Sequence, residues 1–199
     1  MNVEKTLESL RNNGFEACYF DTGAAAAAYV AGQISGETVG FGGSKTLEAL
    51  GLFETLSESN TVFWHWKQGP IEEARKKANA ASIYLCSANG LSETGEIVNI
   101  DGGGNRLAAT GYDKKKVFLL VGKNKVEETF EKALWRARNV ASPLNARRFN
   151  TDTPCVKGEL RCYDCDSPAR ICRTLQVFWR KPTGVTAFEV VLIGEDFGY

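Results

Sequence analysis

The sequence predicts an α/β fold: an open, mainly parallel, twisted sheet flanked by helices, with a cysteine-rich C-terminal segment. Three observations carry this. Apolar runs of strand length alternate with runs of helical period as far as Val140. Two of the runs, residues 82–86 (Ser-Ile-Tyr-Leu-Cys) and 117–121 (Val-Phe-Leu-Leu-Val), are apolar almost throughout, as in strands covered on both faces. Strands separated by helix-length segments are joined by crossovers, which makes neighbouring strands parallel.

Each element has a local reason. Val3, Leu7 and Leu10 recur at helical spacing, and Gly14 stands just past them as a stop. Residues 15–20 alternate as a strand. The alanine-rich stretch 24–34 favours a helix, with Asp21 or Thr22 as its cap and an end near Gly36. Residues 38–41 form a short strand that passes through Gly42-Gly43-Ser44 into a helix over 45–50, stopped by Gly51. A strand over 61–66 and a helix over 71–80 precede the first buried strand. Residues 91–99 read as two short strands turning at Thr94-Gly95. Beyond the glycines at 102–104 a helix opens over 105–109. Residues 127–140 form the clearest amphipathic helix, with Phe130, Leu134 and Ala137 on one face. From Pro143 to Arg173 the periodicity breaks into a loop-like, cysteine-bearing segment, and 185–193 returns as a final strand. No repeat divides the chain, so 1–199 is expected as one domain with a metal-binding segment at about 150–175.

Composition narrows the function. Lys plus Arg number 24, as do Asp plus Glu, so the net charge is zero and the footprint of a general nucleic-acid binder is missing. Hydrophobic residues at 43% and charged ones at 24% exclude disorder. The longest strictly apolar run, 24–31, is well short of the roughly 18 residues that span a bilayer, so no membrane insertion is expected. The start Met1-Asn2-Val3-Glu4-Lys5 lacks the basic-then-apolar pattern of a signal peptide, and the expectation is a soluble, cytoplasmic protein. A single histidine, His65, excludes multi-histidine sites and is itself expected to be structural. The run Lys114-Lys115-Lys116 is expected as a solvated turn.

Three polar segments stand where strands end, the place at which open α/β sheets bind ligands. Gly42, Gly43 and Ser44 let backbone approach a small anion, with Ser44 both capping a helix and donating to the ligand. Thr94 and Gly95, followed by Asp101 and then Asn105 and Arg106 past three glycines, form a second cluster suited to a small polar ligand. Lys123 and Asn124 lie directly after a buried strand, and with Lys125 and Arg106 supply positive charge for an anionic substrate or cofactor.

Four of the six cysteines fall between positions 155 and 172, with spacing C-x6-C-x2-C-x6-C. Cys155, Cys162, Cys165 and Cys172 supply the four thiolates that hold either tetrahedral Zn²⁺ or a [4Fe–4S] cluster, and the reading leans slightly to iron–sulfur. Disulfides are the plainer alternative, which a reducing compartment disfavours. Cys18 and Cys86 sit in apolar runs and are expected as core residues. Between Asn145 and Pro182 eight Lys/Arg face four Asp/Glu, so this segment is locally basic.

Taken together, Gly40-Phe41-Gly42-Gly43-Ser44-x-Thr46-Leu47, Ser92-Glu93-Thr94-Gly95-Glu96-Ile97-Val98, Gly104-Asn105-Arg106, Val121-Gly122-x-Asn124-Lys125 and Pro143-x-Asn145 resemble the lactate-utilisation (LUD) domain family, LutC-like, over the whole chain. The tail Cys155, Cys162, Cys165, Pro168, Arg170 and Cys172 resembles that of cysteine-tailed members, and the minimal LutC form lacks it. The resemblance implies a fold similar to glucosamine-6-phosphate deaminase, ribose-5-phosphate isomerase and CoA transferases. It also implies a role in oxidising L-lactate to pyruvate with iron–sulfur protein partners. Ser92-Glu93-Thr94-Gly95 is similar to the Ser-Glu-Asn-Gly stretch whose glutamate is the nucleophile in some CoA transferases, with Thr94 in place of the asparagine.

Three readings follow. In the first, the chain is a component of an iron–sulfur system oxidising L-lactate, with a glycine-rich pocket for a small anion. In the second, it is a stand-alone transferase or isomerase acting on an acyl-CoA or sugar phosphate, with Glu93 as catalytic carboxylate. In the third, it is a non-catalytic assembly or regulatory subunit pinned by structural zinc.

Overall fold

The computed structural model describes residues 1–199. The N-terminal half alternates as read except for one added helix, α4: α1 (Val3–Asn12), β1 (Glu16–Phe20), α2 (Gly23–Gly32), β2 (Thr38–Phe41), α3 (Lys45–Ala49), α4 (Leu52–Ser57), β3 (Thr61–Phe63), α5 (Ile71–Ala80) and β4 (Ile83–Cys86). A hairpin, β5 (Gly90–Ser92) and β6 (Ile97–Asp101), precedes α6 (Asn105–Gly111) and the long strand β7 (Lys114–Gly122). Then come β8 (Val126–Glu127), α7 (Phe130–Arg136), α8 (Ser142–Arg148), α9 (Pro154–Lys157), β9 (Thr174–Phe178) and β10 (Val185–Ile193). Side-chain oxygens cap the early helices: Asn2 accepts from Lys5 N, Thr22 from Ala25 N, and Ser44 from Leu47 N. Of the two caps open for α2, Thr22 is the one used.

Six strands form one sheet in the order β1-β10-β7-β4-β2-β3, and every neighbouring pair is parallel. Alternation along the central strands sorts the core into two faces. Val117, Leu119 and Val121 of β7, with Tyr84 and Cys86 of β4 and Phe188, Val190 and Leu192 of β10, point one way. Phe118, Leu120, Ile83, Leu85, Val191 and Ile193 point the other way. The second face is covered by Ala26 and Val30 of α2, Leu47 of α3, and Leu52 and Leu56 of α4. The first is covered by Leu10 of α1, Ala78 of α5 and Ala109 of α6. Cys86 is buried as expected, while Cys18 is only half-buried.

A second sheet, ordered β8-β5-β6-β9, was not foreseen. The predicted turn at Thr94-Gly95 does join an antiparallel pair, with Leu91 opposite Ile97, but β9 returns from the cysteine segment to pair antiparallel with β6. Leu91, Ile97 and Phe178 pack this sheet onto the first face of the large one. Phe188 is the joint, meeting Phe15 and Phe178 edge to face at 5.2 and 5.5 Å between ring centres.

Other departures have local causes. The strand expected over 61–66 ends at Phe63, because Trp64 leaves the ladder to stack on Phe41 inside the core. The lysine run expected as a solvated turn is the start of β7. Lys114 there is buried and donates to the carbonyls of Asn79 and Asp113, while Lys116 pairs with Glu16 and Glu189. The helix expected to stop near Val140 continues through a π-helical turn, Ala137–Ala141, into α8. Pro143 has no N–H for the preceding turn, and a wider turn accommodates it while Ser142 Oγ donates to the Ala137 carbonyl at 2.8 Å.

Phe188 bridges the two sheets, so Phe188→Ala is expected to lower stability by about 3–5 kcal/mol in urea unfolding. A loss below about 1 kcal/mol would mean that the small sheet does not depend on this contact.

Candidate functional site

The carboxyl ends of the parallel strands open onto a cleft of about 400 Å³. Its floor comes from the loop after β4 (Ser87, Ala88 and Asn89) and from Lys125 in the 3₁₀ turn after β7. Gly43, Ser44, His65 and Trp66 form one wall, and Asp101, Asn105 and Arg106 another. Helix α8 supplies Ser142, Asn145 and Arg148, and residues 169–173 of the cysteine segment close the far side.

The lining is strongly cationic. Lys45, Arg75, Arg106, Lys125, Arg148, Arg170 and Arg173 stand against a single acidic side chain, Asp101. In a chain with equal numbers of acids and bases, this is a segregation of charge, and low-dielectric walls focus such a field on an anion.

The cations do different work. The guanidinium of Arg106 donates to the carbonyls of Ser87 and Ile100 and to the Oδ1 atoms of Asn99 and Asn89, at 2.6–3.1 Å. Its Nε lies 3.6 Å from Asp101, so this arginine, read from sequence as a ligand contact, is spent on holding loops. Gly42 is tied to the same network, because a Cβ there would stand 3.1 Å from Arg106 Cδ; at Gly43 a Cβ would meet the Trp66 ring at the same distance. Both glycines therefore permit close packing within the protein. Arg148 is different. Its Nε and one terminal nitrogen donate to Asn145 Oδ1, and its Cζ lies 4.8 Å from the Trp66 ring centre and 3.8 Å from that of Phe149. No carboxylate pairs with it, and burial pulls its pKa below the usual arginine value.

Lys125 is 4% exposed, and Nζ donates to Thr46 Oγ1 and Ser87 Oγ, both at 3.0 Å. Burial first, and then the charges of Arg136 and Arg106, push its pKa down to about 7. His65 is half-buried beside Trp66, its Nδ1 lacks a hydrogen-bond partner, and burial lowers its pKa.

Of the residues singled out from sequence, Gly43, Ser44, Asn105 and Arg106 line the cleft and Gly42 lies just behind it. Glu93, Thr94 and Gly95 do not. They form the β5–β6 turn, which docks on α1: Glu93 accepts from Asn2 N at 2.5 Å and pairs with Lys5 at 3.4 Å, while the Thr94 carbonyl accepts from Asn13. Lys123 is exposed to solvent, and Asn124 faces the last residues, accepting from Phe197 N and donating to the Gly198 carbonyl. Sequence reasoning passed over Arg148, which helical spacing from Asn145 would have found had the helix been carried through Pro143. It named Lys125 only as a supplementary charge.

Cys155, Cys162, Cys165 and Cys172 are all free thiols and together line a second, smaller cavity of about 20 Å³. Arg138 and Arg170 border it. Cys162 Sγ accepts from Asp164 N at 3.3 Å and from Arg138 at 4.0 Å. The sulfurs share this space, yet no three ligating side chains stand at ion-binding separation, so holding a metal requires the 155–172 segment to tighten. Ser142, Arg170, Ile171 and Cys172 line both cavities, which makes them a common wall.

A family model for the LUD domain matches residues 3–193. The chain belongs to the LUD domain family. The family is associated with lactate utilisation. Among solved structures, this LUD domain is similar to the crystal structure of a DUF162 family protein from Deinococcus radiodurans, with a TM-score of 0.56 and 10% identity over 96% of this chain and 94% of that one. The likeness at that identity is one of fold. Among curated proteins, none matches. No helix of this LUD domain is long and apolar enough to cross a membrane.

The pKa of Lys125 makes a pH prediction. Below about pH 7 the amine is charged in folded and unfolded chains alike, and the fold carries the whole cost of a buried cation. Between about 7 and the usual 10.5 the unfolded chain still binds the proton that the folded one has released, so this cost fades as pH rises. Lys125→Met is therefore expected to be stabilised over the native protein most at pH 6, and by a shrinking margin towards pH 10, in urea unfolding. A margin that stays flat across this range would show an amine titrating as lysines ordinarily do.

Proposed function

We propose that this LUD domain is a LutC-like component of an iron–sulfur system that oxidises L-lactate to pyruvate, binding a small organic anion in the cationic cleft. The observation that carries the reading is the charge of the cleft wall, seven basic side chains against one acid in a chain of zero net charge. Arg148 is the anion receptor. Its guanidinium is packed against two aromatic rings and oriented by Asn145, and it has no acid of its own. A planar fork of this kind binds carboxylate or phosphate through paired hydrogen bonds. The other bases of the lining add an attractive field, while Arg106 keeps the floor and wall in register.

Cys155, Cys162, Cys165 and Cys172 would hold the inorganic centre, with Arg138 and Arg170 offsetting the charge of the thiolates. A [4Fe–4S] cluster supplies one-electron transfer when bound, whereas zinc supplies only a cross-link. The N–H groups already directed at Cys162 Sγ are of the kind that tune a thiolate ligand. The common wall of the two cavities supports a centre that senses or serves the ligand in the cleft. The transferase reading with Glu93 gains no support, since its carboxylate is engaged by α1 outside the cleft.

Calorimetric titration with L-lactate, pyruvate and inorganic phosphate tests the first part. Arg148→Met is expected to weaken whichever anion binds by about tenfold to a hundredfold, the worth of hydrogen bonds to a charged group; unchanged affinity would remove Arg148 from the site. Iron, sulfide and zinc analysis of anaerobically prepared protein tests the second. Matching iron and sulfide, lost in a Cys162→Ser/Cys165→Ser variant, is the expected result, and stoichiometric zinc without iron would end the electron-carrying role.

A further inference from the structure

Among the basic groups around the cleft, Lys125 has the least ordinary surroundings. Lys45, Arg75, Arg106 and Arg170 each stand within ion-pair distance of an acid. Arg173 donates to the carbonyls of Arg170 and Pro168. Lys125 has neither an acid nor a carbonyl; its two partners are the hydroxyls of Thr46 and Ser87. The Thr46 hydroxyl in turn donates to the Phe197 carbonyl, so it can only accept from the lysine. Two N–H bonds of Nζ are thereby directed at fixed oxygens, and the nitrogen's remaining tetrahedral position is unassigned. A structural lysine is usually matched with a carboxylate; a primary amine buried among arginines with hydroxyl partners alone is arranged as a nucleophile.

We propose that Lys125 condenses with the carbonyl of a small anionic aldehyde or ketone held in the cleft, forming a covalent imine. This rests on the reading that the cleft binds small organic anions. Burial and the neighbouring Arg136 and Arg106 favour the uncharged amine, which is the reactive form. The nitrogen lone pair forms the C–N bond as the carbonyl π electrons move to oxygen. A proton passes from nitrogen to that oxygen, and the Ser87 hydroxyl, hydrogen-bonded to the same nitrogen, is the nearest relay. The nitrogen's second proton reaches the same oxygen by this relay as the C–O bond breaks, so that water leaves and the nitrogen lone pair closes the C=N bond. One amine and one carbonyl give one imine and one water, with no oxidant or reductant required. The substrate class is a carbonyl compound bearing a carboxylate or a phosphate, whose anionic end the cationic wall holds.

The full chain is incubated separately with glyoxylate, pyruvate and dihydroxyacetone phosphate, with and without sodium borohydride, and read by intact mass and peptide mapping. The expected result is a borohydride-dependent adduct on the peptide containing Lys125, equal for pyruvate to one pyruvic acid less one oxygen atom. Labelling by the oxo acids alone identifies a carboxylate ligand, and labelling by the phosphate alone a phosphorylated one. Lys125→Arg, and Lys125→Met as a second variant should the first fold poorly, are expected to cut labelling by about tenfold or more. Adduct spread over exposed lysines and unchanged in either variant overturns the proposal. Probes that bind by calorimetry but leave no adduct also overturn it, while the anion-binding reading stands. If no probe binds or labels, both fall.

Discussion

The guanidinium of Arg106 sets the geometry on which the rest of the cleft depends. It stands at the start of α6 and donates to Ser87 and Asn89, in the loop after β4, and to Asn99 and Ile100 of β6. One side chain thereby ties the loop that follows β4 of the large parallel sheet to β6 of the small sheet. Asp101 completes the knot by accepting from the backbone N–H groups of Gly102, Gly103 and Arg106. Buried loops carry polar backbone that must be satisfied, and a charged planar donor with several N–H groups meets that demand more fully than any neutral side chain.

With the walls held this way, the other cations are left free to differ. Arg148 rests against the aromatic pair Trp66 and Phe149, and Trp66 continues through Trp64 to Phe41 as a stacked column into the core. The column gives the arginine a rigid backing, which lowers the entropy lost when it grips an anion. Lys125 lies buried in the cleft floor with hydroxyls for partners. Keeping such a group destabilises the fold, a pattern common where a site is built for chemistry ahead of stability. The cysteine cavity shares four residues with the cleft, so the two spaces are mechanically joined as well as adjacent.

Much of the fold was legible because it is locally encoded. Two-sided burial of the central strands shows as unbroken apolar runs, the caps Thr22 and Ser44 show as hydroxyl residues before helices, and the β5–β6 hairpin shows as a turn between short strands. Motif order along the chain carried the family. The small sheet was invisible in part because β9 pairs with a strand more than seventy positions earlier. The reach of the helix through Pro143 was hidden because proline reads as a stop, and a π turn with a compensating Ser142 hydroxyl makes it tolerable.

The candidate site divides the same way. Composition and position at strand ends determined that polar, glycine-bearing segments surround a cleft; the tertiary structure alone decided which of them face it. Lys123 and Lys125 lie two residues apart in one turn, yet the first is in solvent and the second is buried in the cleft floor. Glu93 and Asp101 belong to neighbouring parts of one hairpin, yet the first meets α1 and the second meets Arg106. Local spacing determines whether a segment is strand, turn or helix. The direction of a side chain at a strand's end depends on sheet twist and on whichever distant element packs there, and neither is written in the neighbouring residues.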